Sequence, residues 1–243
     1  MTEPRTDTGR SEHARSGTRG ELLFYAIVRA GLLAACKVWF RVSGTNTHHV
    51  PPEGAFILAP VHRSNLDFAL VLICTKRRMR YLAKDSLWKG EGFWARVFTG
   101  LGGIPVARGT ADREALRTCI DVLDAGEPLV MFPEGTRQHG PVVQELFDGP
   151  AFVQSRTGVP IIPVGIGGSE GAMPKGSKLP KPHKIAVVVG PALEFAESVG
   201  SKAKRVAIHA RTEELHREMQ SLFDEAQSSA GTPNGPSPRR ASS

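Results

Sequence analysis

Short apolar runs alternate with amphipathic stretches through the middle of the chain. The apolar runs are bounded by glycine, proline or charged residues and predict buried strands, at residues 55–60, 79–83, 103–108, 128–133, 159–166 and 184–190. Helical patterns fall between and after them, at residues 65–76, 92–101, 110–126, 151–158 and about 201–226. This alternation predicts an α/β fold, a single domain over residues 44–227 with a mostly parallel sheet flanked by helices.

An apolar segment precedes this domain, at residues 21–42. It approaches the length of a membrane span, but Arg29 and Lys37 interrupt it and make a free-standing span costly. Aromatic residues such as Trp39 suit the boundary between lipid and water, where a ring is half wet. We therefore expect an N-terminal apolar membrane-associating helix over residues 20–43, peripheral or monotopic, on the cytoplasmic face of the cell membrane. A helix of a soluble core is the alternative.

The rest of the composition is that of a globular protein with loose ends. Residues 1–19 and 228–243 are almost wholly polar and have little to bury, so we expect two disordered tails. Hydrophobic residues make up 40% of the chain and charged residues 23%, which is usual for a globular domain. The cysteines lie far apart without CxxC spacing, so we expect no metal site and free thiols at Cys36, Cys74 and Cys119.

The charge balance narrows the classes of partner. The chain has 31 basic and 24 acidic residues, and such a basic surface can bind nucleic acid, anionic lipid or phosphorylated small molecules. It carries no RNA-binding aromatic signature, zinc finger or basic heptad, so we expect no nucleic acid partner. Residues 174–184, PKGSKLPKPHK, contain four lysines that could contact an anionic membrane surface, although a solvated basic loop is the commoner case.

Polar residues follow the first predicted strand directly, in the stretch HRSNLD from His62 to Asp67. One interpretation is structural: Ser64 and Asp67 form a capping box at the start of a helix, and His62 is a loop residue. The other is catalytic: the carboxylate of Asp67 holds one ring N–H of His62, and the other ring nitrogen takes a proton from an acceptor hydroxyl. This stretch alone does not decide between them.

A second polar cluster favours the catalytic interpretation. The strand at residues 128–133 runs into Glu134, Gly135, Thr136 and Arg137. Arginine can clamp a phosphate and a carboxylate can accept from a hydroxyl, so this set suits a polyol phosphate, although Pro and Gly after a strand also make an ordinary turn. Further basic residues stand at the ends of other strands, Lys84 and Arg108. Basic groups at several strand ends beside a His/Asp pair indicate a site for a phosphorylated substrate.

Four blocks of the chain, taken in order, resemble the glycerolipid acyltransferase family: HRSNLD, GGIPVAR, FPEGTR and VPIIPVGI, which with their connections span about residues 55–166. One block would be a weak signal, whereas four in order are specific. The resemblance implies an O-acyltransferase like the 1-acylglycerol-3-phosphate O-acyltransferases, which move a fatty acyl group from an acyl thioester to a lysophospholipid hydroxyl and give phosphatidic acid. It also implies acyl-CoA or acyl carrier protein as the co-substrate, and no cofactor.

The resemblance implies residue roles as well. His62 would deprotonate the acceptor hydroxyl, which attacks the thioester directly, and Asp67 would orient His62. The residues that would bind the acceptor, with the two arginines on its phosphate, are Lys84, Arg108, Glu134, Gly135, Thr136 and Arg137. The match departs at Val61, where many members have Asn. The block HRS is also more like the branch that acylates glycerol 3-phosphate, so glycerol 3-phosphate or another lipid acceptor is the alternative.

A rival enzyme class comes from GGSEG at residues 167–171, which matches the nucleophile elbow of serine hydrolases with Ser169 as the nucleophile. That motif needs a helix directly after it, and the following AMPKGSKLPKP, rich in proline and glycine, predicts none. Glu194 with His209 or His216 would formally complete a triad, although no pattern places them near Ser169. A non-enzymatic membrane protein is the third class, and the paired His and Asp argue against it.

Overall fold

The computed structural model describes residues 19–84, 100–106, 112–177, 179–194 and 201–234 of the chain. Within these residues the strands are β1 (Ser43–Thr45), β2 (Ile57–Pro60), β3 (Arg80–Lys84), β4 (Gly103–Val106), β5 (Leu129–Val130), β6 (Ile161–Gly167) and β7 (Ala186–Val189). They form one sheet in the order β1-β7-β6-β2-β5-β3-β4. All neighbours are parallel except β6 and β7. The prediction of an α/β fold with a mostly parallel sheet is confirmed.

Helices connect and flank the strands of this sheet. They are α1 (Arg19–Phe40), α2 (Asp67–Leu70), α3 (Asp112–Asp124), α4 (Gly149–Thr157), α5 (Ser169–Ala172) and α6 (Ser201–Ala230). Helix α2 is shorter than the pattern at residues 65–76 predicts, because it gives way to a 3-10 turn at Val71–Ile73. The predicted helix at residues 92–101 lies outside the described residues except for its last two. Helix α6 continues through Ala230, past residue 228, where the tail was expected to begin.

Helix α6 packs directly against the backbone of strand β6. A Cβ atom at Gly165 would lie 2.1 Å from the carbonyl oxygen of Leu222, and one at Gly167 would lie 2.2 Å from the carbonyl oxygen of Ala226. The helix can approach this closely only because both strand positions are glycine. One face of α6 is thereby buried, with Leu215, Met219, Leu222, Phe223 and Ala226 turned to the core.

Helix α1 is docked on the domain along one face and open along the other. The Tyr25 hydroxyl donates to the carbonyl of Arg77 at 2.9 Å, and Nη2 of Arg29 donates to the carbonyls of Leu72 and Thr75, each at 2.8 Å. The large apolar side chains that it leaves exposed are Leu22, Leu23, Phe24, Ile27, Val38 and Trp39. By length and composition alone, its Leu22–Phe40 segment could cross a membrane. Arg29, which interrupts the apolar segment, therefore attaches α1 to the domain.

The parallel strands bring the ends of distant segments to one edge of the sheet. Leu58 of β2 and Tyr81 of β3 both pair with Val130 of β5, so these three strands run side by side in the same direction. Their carboxyl ends meet at one edge, which is the usual place for a ligand in an open α/β sheet. His62 and Glu134 follow two of these strand ends within a few residues.

Candidate active site

His62 and Asp67 form a buried pair at this edge. Nδ1 of His62 lies 3.0 Å from Oδ2 of Asp67, and the two residues are 8% and 0% exposed. Because an ionised carboxylate can only accept a hydrogen bond, the pair places the ring proton of His62 on Nδ1. No described residue hydrogen-bonds to Nε2, so that nitrogen keeps its lone pair for another molecule. This is the arrangement that a general base requires.

Asp67 also serves the backbone at the start of helix α2. The same oxygen, Oδ2, accepts from the backbone N–H of Arg63 at 2.7 Å and of Ser64 at 2.8 Å. This oxygen makes one of the two hydrogen bonds of the expected capping box, from the N–H of Ser64, and also contacts the histidine ring. The Ser64 hydroxyl does not complete the box, because it donates to the carbonyl of Met173 and accepts from the N–H of Leu66. The other oxygen of Asp67, Oδ1, is buried and has no hydrogen-bond partner among the described residues.

Two aromatic rings fix the plane of the imidazole. The ring of Phe132 lies 4.2 Å from that of His62, centroid to centroid, and is tilted by 33°. The ring of Phe68 meets His62 edge-on at 5.6 Å and also contacts Phe132 at 4.9 Å. These contacts restrict rotation of the imidazole and keep its inner side away from water.

The sequence led us to expect that Glu134 accepts a hydrogen bond from a substrate hydroxyl. In the structure, its carboxylate is instead buried and bonded within the protein. Its carboxylate is 2% exposed and accepts from Nη1 of Arg63 through both oxygens, each at 2.8 Å. It also accepts from the backbone N–H of His62 at 2.9 Å and of Gln144 at 3.1 Å. The structure places Glu134 behind the histidine, with its accepting positions taken by the protein.

Arg63 is the residue of the site that sequence reasoning missed. It is 1% exposed and pairs with Glu134, although lone arginines in a sequence are usually solvated surface charges. The available signal was its place in HRSNLD, directly after a strand that is buried along its whole length. Its acidic partner lies 71 residues further along the chain, so no local pattern joins the two.

The remainder of the Glu134 loop runs beside His62. The backbone N–H of Gln138 donates to the carbonyl of His62 at 2.8 Å, and its side-chain amide donates to Oγ1 of Thr136 at 3.1 Å. Gly135 has a φ of 67°, a conformation that favours glycine, whereas a Cβ there would meet only the exposed ring of Phe147, at 2.7 Å, and that ring could move aside. Thr136 is exposed and Arg137 is partly buried. The loop thus brings its polar residues to the same edge as His62.

Of the two other basic residues that the sequence predicts for the site, the structure describes only Lys84. Lys84 is the last residue of strand β3, at the carboxyl edge of the sheet. Arg108 lies outside the described residues.

Ser169 does not have the surroundings of a serine nucleophile. The four-residue helix α5 begins at Ser169 itself and ends at Ala172, and the described residues 173–177 and 179–182 form no helix, as the sequence predicted. Ser169 is 0% exposed, and its hydroxyl has no hydrogen-bond partner among the described residues. His216 instead contacts the carbonyl of Val143 at 2.9 Å, while His209 lies near Asp148 and Glu213. The described part of the chain supplies no base for this serine.

Comparison with known proteins assigns a family to this fold and site. The model of a family described as Acyltransferase matches residues 41–167, from the end of α1 to the end of β6. Proteins named 1-acyl-sn-glycerol-3-phosphate acyltransferase are similar to the chain in Chlamydomonas reinhardtii (28% identical over 59% of this chain), Helicobacter pylori (30% over 53%) and Bacillus subtilis (25% over 73%). The chain spans 43%, 52% and 85% of their respective lengths, so about half of the first two.

A solved structure has the same fold. The crystal structure of the 1-acyl-sn-glycerophosphate acyltransferase of Thermotoga maritima matches with a TM-score of 0.60 and 24% identity, over 84% of this chain and 87% of that one. Both His62 and Glu134, with the strands that carry them, fall inside the stretch that the family model matches. From this match we conclude that the chain belongs to the acyltransferase family.

Proposed function

We propose that the protein transfers a fatty acyl group from an acyl thioester to the free hydroxyl of 1-acylglycerol 3-phosphate, giving phosphatidic acid. The observation that carries this proposal is the buried His62–Asp67 pair at the carboxyl ends of the strands, in which Nε2 of the ring has no hydrogen-bond partner among the described residues. The names of the similar proteins from three organisms supply the acceptor. Acyl-CoA and acyl carrier protein both offer the thioester that the reaction needs.

The proposed reaction is direct transfer with His62 as the general base. Nε2 takes the proton of the acceptor hydroxyl while the oxygen attacks the thioester carbonyl carbon, so a C–O bond forms. The carboxylate of Asp67 stabilises the positive charge on the imidazolium through the Nδ1–H bond. The tetrahedral intermediate then expels the thiolate, which takes the proton from His62. The products are phosphatidic acid and the free thiol of the donor.

The phosphate of the acceptor is assigned to basic residues around His62. Arg137 stands in the loop that is hydrogen-bonded to His62 through Gln138, and guanidinium groups bind phosphate with two parallel hydrogen bonds. Arg108 and Lys84 are proposed from the sequence as further contacts. Binding the phosphate beside His62 would present the neighbouring hydroxyl to Nε2, which converts binding energy into orientation.

We further propose that α1 holds the site at the cytoplasmic membrane surface, where both the lysophospholipid and the soluble thioester donor can reach it. The support is the apolar face that α1 leaves exposed while its opposite face is docked on the domain. A helix fixed to a globular domain in this way suits the interface rather than the bilayer core. The exposed lysines Lys175, Lys181 and Lys184 would add attraction to anionic lipid.

An acceptor panel tests the proposed function. Purified full-length protein in lipid vesicles is given a radiolabelled acyl-CoA, or acyl carrier protein loaded with the same acyl chain, and each of four acceptors. These are 1-acylglycerol 3-phosphate, glycerol 3-phosphate, monoacylglycerol and lysophosphatidylcholine. We expect label in phosphatidic acid, with the first acceptor preferred. Preferred acylation of glycerol 3-phosphate, or acylation of no phosphorylated acceptor, would contradict the proposal.

A further inference from the structure

We propose that the buried ion pair of Arg63 and Glu134 is a positioning device for His62, and that Glu134 does not itself bind the acceptor. The inference rests on the proposed acyl transfer only in that it assigns His62 the role of base. It assigns a function to Arg63, a residue of the HRSNLD stretch to which the sequence analysis gave no role. Three features of the structure support it: the hydrogen bonds on the main chain of His62, the anchoring of Arg63, and the balance of buried charge.

Both polar groups on the main chain of His62 are bound by the loop that begins at Glu134. The N–H of His62 donates to Oε2 of Glu134 at 2.9 Å, and its carbonyl accepts from the N–H of Gln138 at 2.8 Å. The side chain is then held through Nδ1 by Asp67. A residue fixed at its N–H, its carbonyl and its ring has little freedom to move its Nε2, and Glu134 supplies one of these three attachments.

Arg63 keeps the carboxylate of Glu134 in the position that this bond requires. Its Nη1 contacts both oxygens of Glu134, and its Nη2 donates to the carbonyl of Val142 at 3.1 Å. The guanidinium also lies over the ring of Phe223, 4.8 Å from the ring centroid. Because Phe223 belongs to α6, Arg63 contacts the helix that packs directly against the backbone of β6. Arg63 therefore holds the carboxylate of Glu134 in place, and Glu134 in turn holds the main chain of His62.

The balance of charge gives the pair a second effect on His62. The carboxylates of Asp67 and Glu134 are both buried, at 0% and 2% exposure, and both bond to groups of His62. The guanidinium of Arg63 neutralises Glu134, so among the described residues Asp67 is the carboxylate left to compensate the imidazolium that forms during the reaction. Loss of Arg63 would leave two uncompensated negative charges around the base.

Stability alone is a weak reason for such a pair. Buried ion pairs are often no more stabilising than apolar residues of the same size, because desolvation offsets their attraction. The bond from the N–H of His62 to Glu134 is what an apolar replacement could not provide. This bond links the pair to catalysis rather than to packing.

The test compares Glu134→Gln, Arg63→Lys and Arg63→Met with the unaltered full-length protein. A matched control is Glu127→Gln, which breaks a second Arg–Glu pair, Arg80 with Glu127, at the opposite edge of the sheet. Two quantities are measured: kcat and acceptor KM for acyl transfer, and hydrogen exchange of the His62 amide in the native state. The amide exchange needs no substrate and therefore does not depend on the identity of the reaction.

We expect Glu134→Gln and Arg63→Met to lower kcat by on the order of tenfold to a hundredfold, with acceptor KM changed less than about twofold. Arg63→Lys should recover part of the loss, because it keeps the charge but not the fork of donors. The His62 amide should exchange faster in the variants that lose kcat. Glu127→Gln should leave kcat and this amide unchanged, even if its melting temperature falls.

Other results would overturn the proposal. A raised acceptor KM with retained kcat in Glu134→Gln would show that Glu134 contacts the acceptor. Unchanged kcat, or unchanged exchange of the His62 amide, would show that the pair does not position the histidine. If Arg63→Met does not fold, the kinetic constants and the His62 amide exchange of Arg63→Lys and Glu134→Gln test the proposal. Absence of acyl transfer in the unaltered protein would refute the proposed function. The amide exchange would still test whether Arg63 and Glu134 position His62.

Discussion

At the residue scale, a single oxygen of Asp67 holds two backbone N–H groups and the histidine ring. Asp67→Asn should therefore lower turnover and stability together. A neutral amide cannot compensate the imidazolium, which should lower turnover on the order of a hundredfold or more. The weakened cap should reduce the free energy of unfolding by about 1 kcal/mol. Steady-state rates and urea denaturation of the same preparation measure the two effects.

Asp224→Asn is the control for that experiment. Asp224 lies on α6 and accepts from the side-chain amides of Gln220 and Asn234 through one carboxylate oxygen. Its replacement should change stability slightly and leave turnover alone. Retained turnover in Asp67→Asn, with the stability loss still present, would reduce Asp67 to a helix cap.

The cysteines provide a second residue-scale prediction. Burial raises the pKa of both Cys74 and Cys119 to about 12, since the thiolate is poorly solvated in the core. A raised pKa keeps the thiol protonated until the pH nears that value, so at pH 8 almost no thiolate is present. Iodoacetamide at pH 8 should label neither residue in the folded protein and both in urea. Rapid labelling of either in the native state would contradict the burial.

At the element scale, the contact between α6 and β6 depends on the absence of side chains. Gly167→Ala should place its methyl group against the backbone of Ala226 and destabilise the fold by about 1–3 kcal/mol or more. Gly31→Ala is the matched control, because nothing lies within 4 Å of a Cβ at that helical position. That change should be neutral or stabilising by up to about 1 kcal/mol. Equal unfolding midpoints for the two variants would contradict the close packing.

Elements with an apolar pattern could be predicted from the sequence, and those without one could not. Strand β6 is buried along its whole length, so its run of apolar residues was sufficient. Strand β1, Ser43–Thr45, is exposed at every residue and was missed, because it is held by backbone pairing with β7 rather than by burial. The helix after β2 was predicted too long, since the apolar run continues into a 3-10 turn.

The site divides in the same way. His62 and Asp67 are five residues apart, so the sequence could propose their contact as one of two interpretations, and the structure shows it at 3.0 Å. The role of Glu134 depended on Arg63, a partner that becomes a neighbour only when β2 and β5 pair in the sheet. Sequence reasoning therefore predicted the local contact and misjudged the carboxylate whose partner is distant.

At the scale of the whole molecule, α1 is part of the fold and cannot be removed cleanly. Tyr25, Cys36 and Phe40 are buried against the domain, so deletion of residues 1–42 would expose core surface and confuse loss of an anchor with loss of stability. Substitution of its exposed apolar side chains is the sharper test. The set to be changed to serine is Leu23, Ile27, Val38 and Trp39, which are between 51% and 81% exposed.

We expect this four-serine variant to remain in the supernatant when neutral or anionic vesicles are sedimented, whereas the unaltered protein should pellet with both kinds of vesicle. Its melting temperature should be nearly unchanged, because the replaced side chains lie outside the core. Changing Lys175, Lys181 and Lys184 to glutamine should weaken only the binding to anionic vesicles at low salt. At 1 M salt the Debye length is about 3 Å, so that contribution should already be absent. Equal sedimentation of the four-serine variant and the unaltered protein would show that α1 is not the anchor.

The proposed reaction depends on His62 as the base for acyl transfer. The most direct measurement is the turnover of His62→Ala with an acyl thioester and 1-acylglycerol 3-phosphate, taken beside its melting temperature. His62 is buried at 8% exposure, and its ring has one hydrogen-bond partner among the described residues, Asp67, so loss of the ring should leave a folded protein. If His62 is the base, turnover should be lower by on the order of a hundredfold or more, with a similar melting temperature. Near-normal turnover in a folded His62→Ala protein would contradict it.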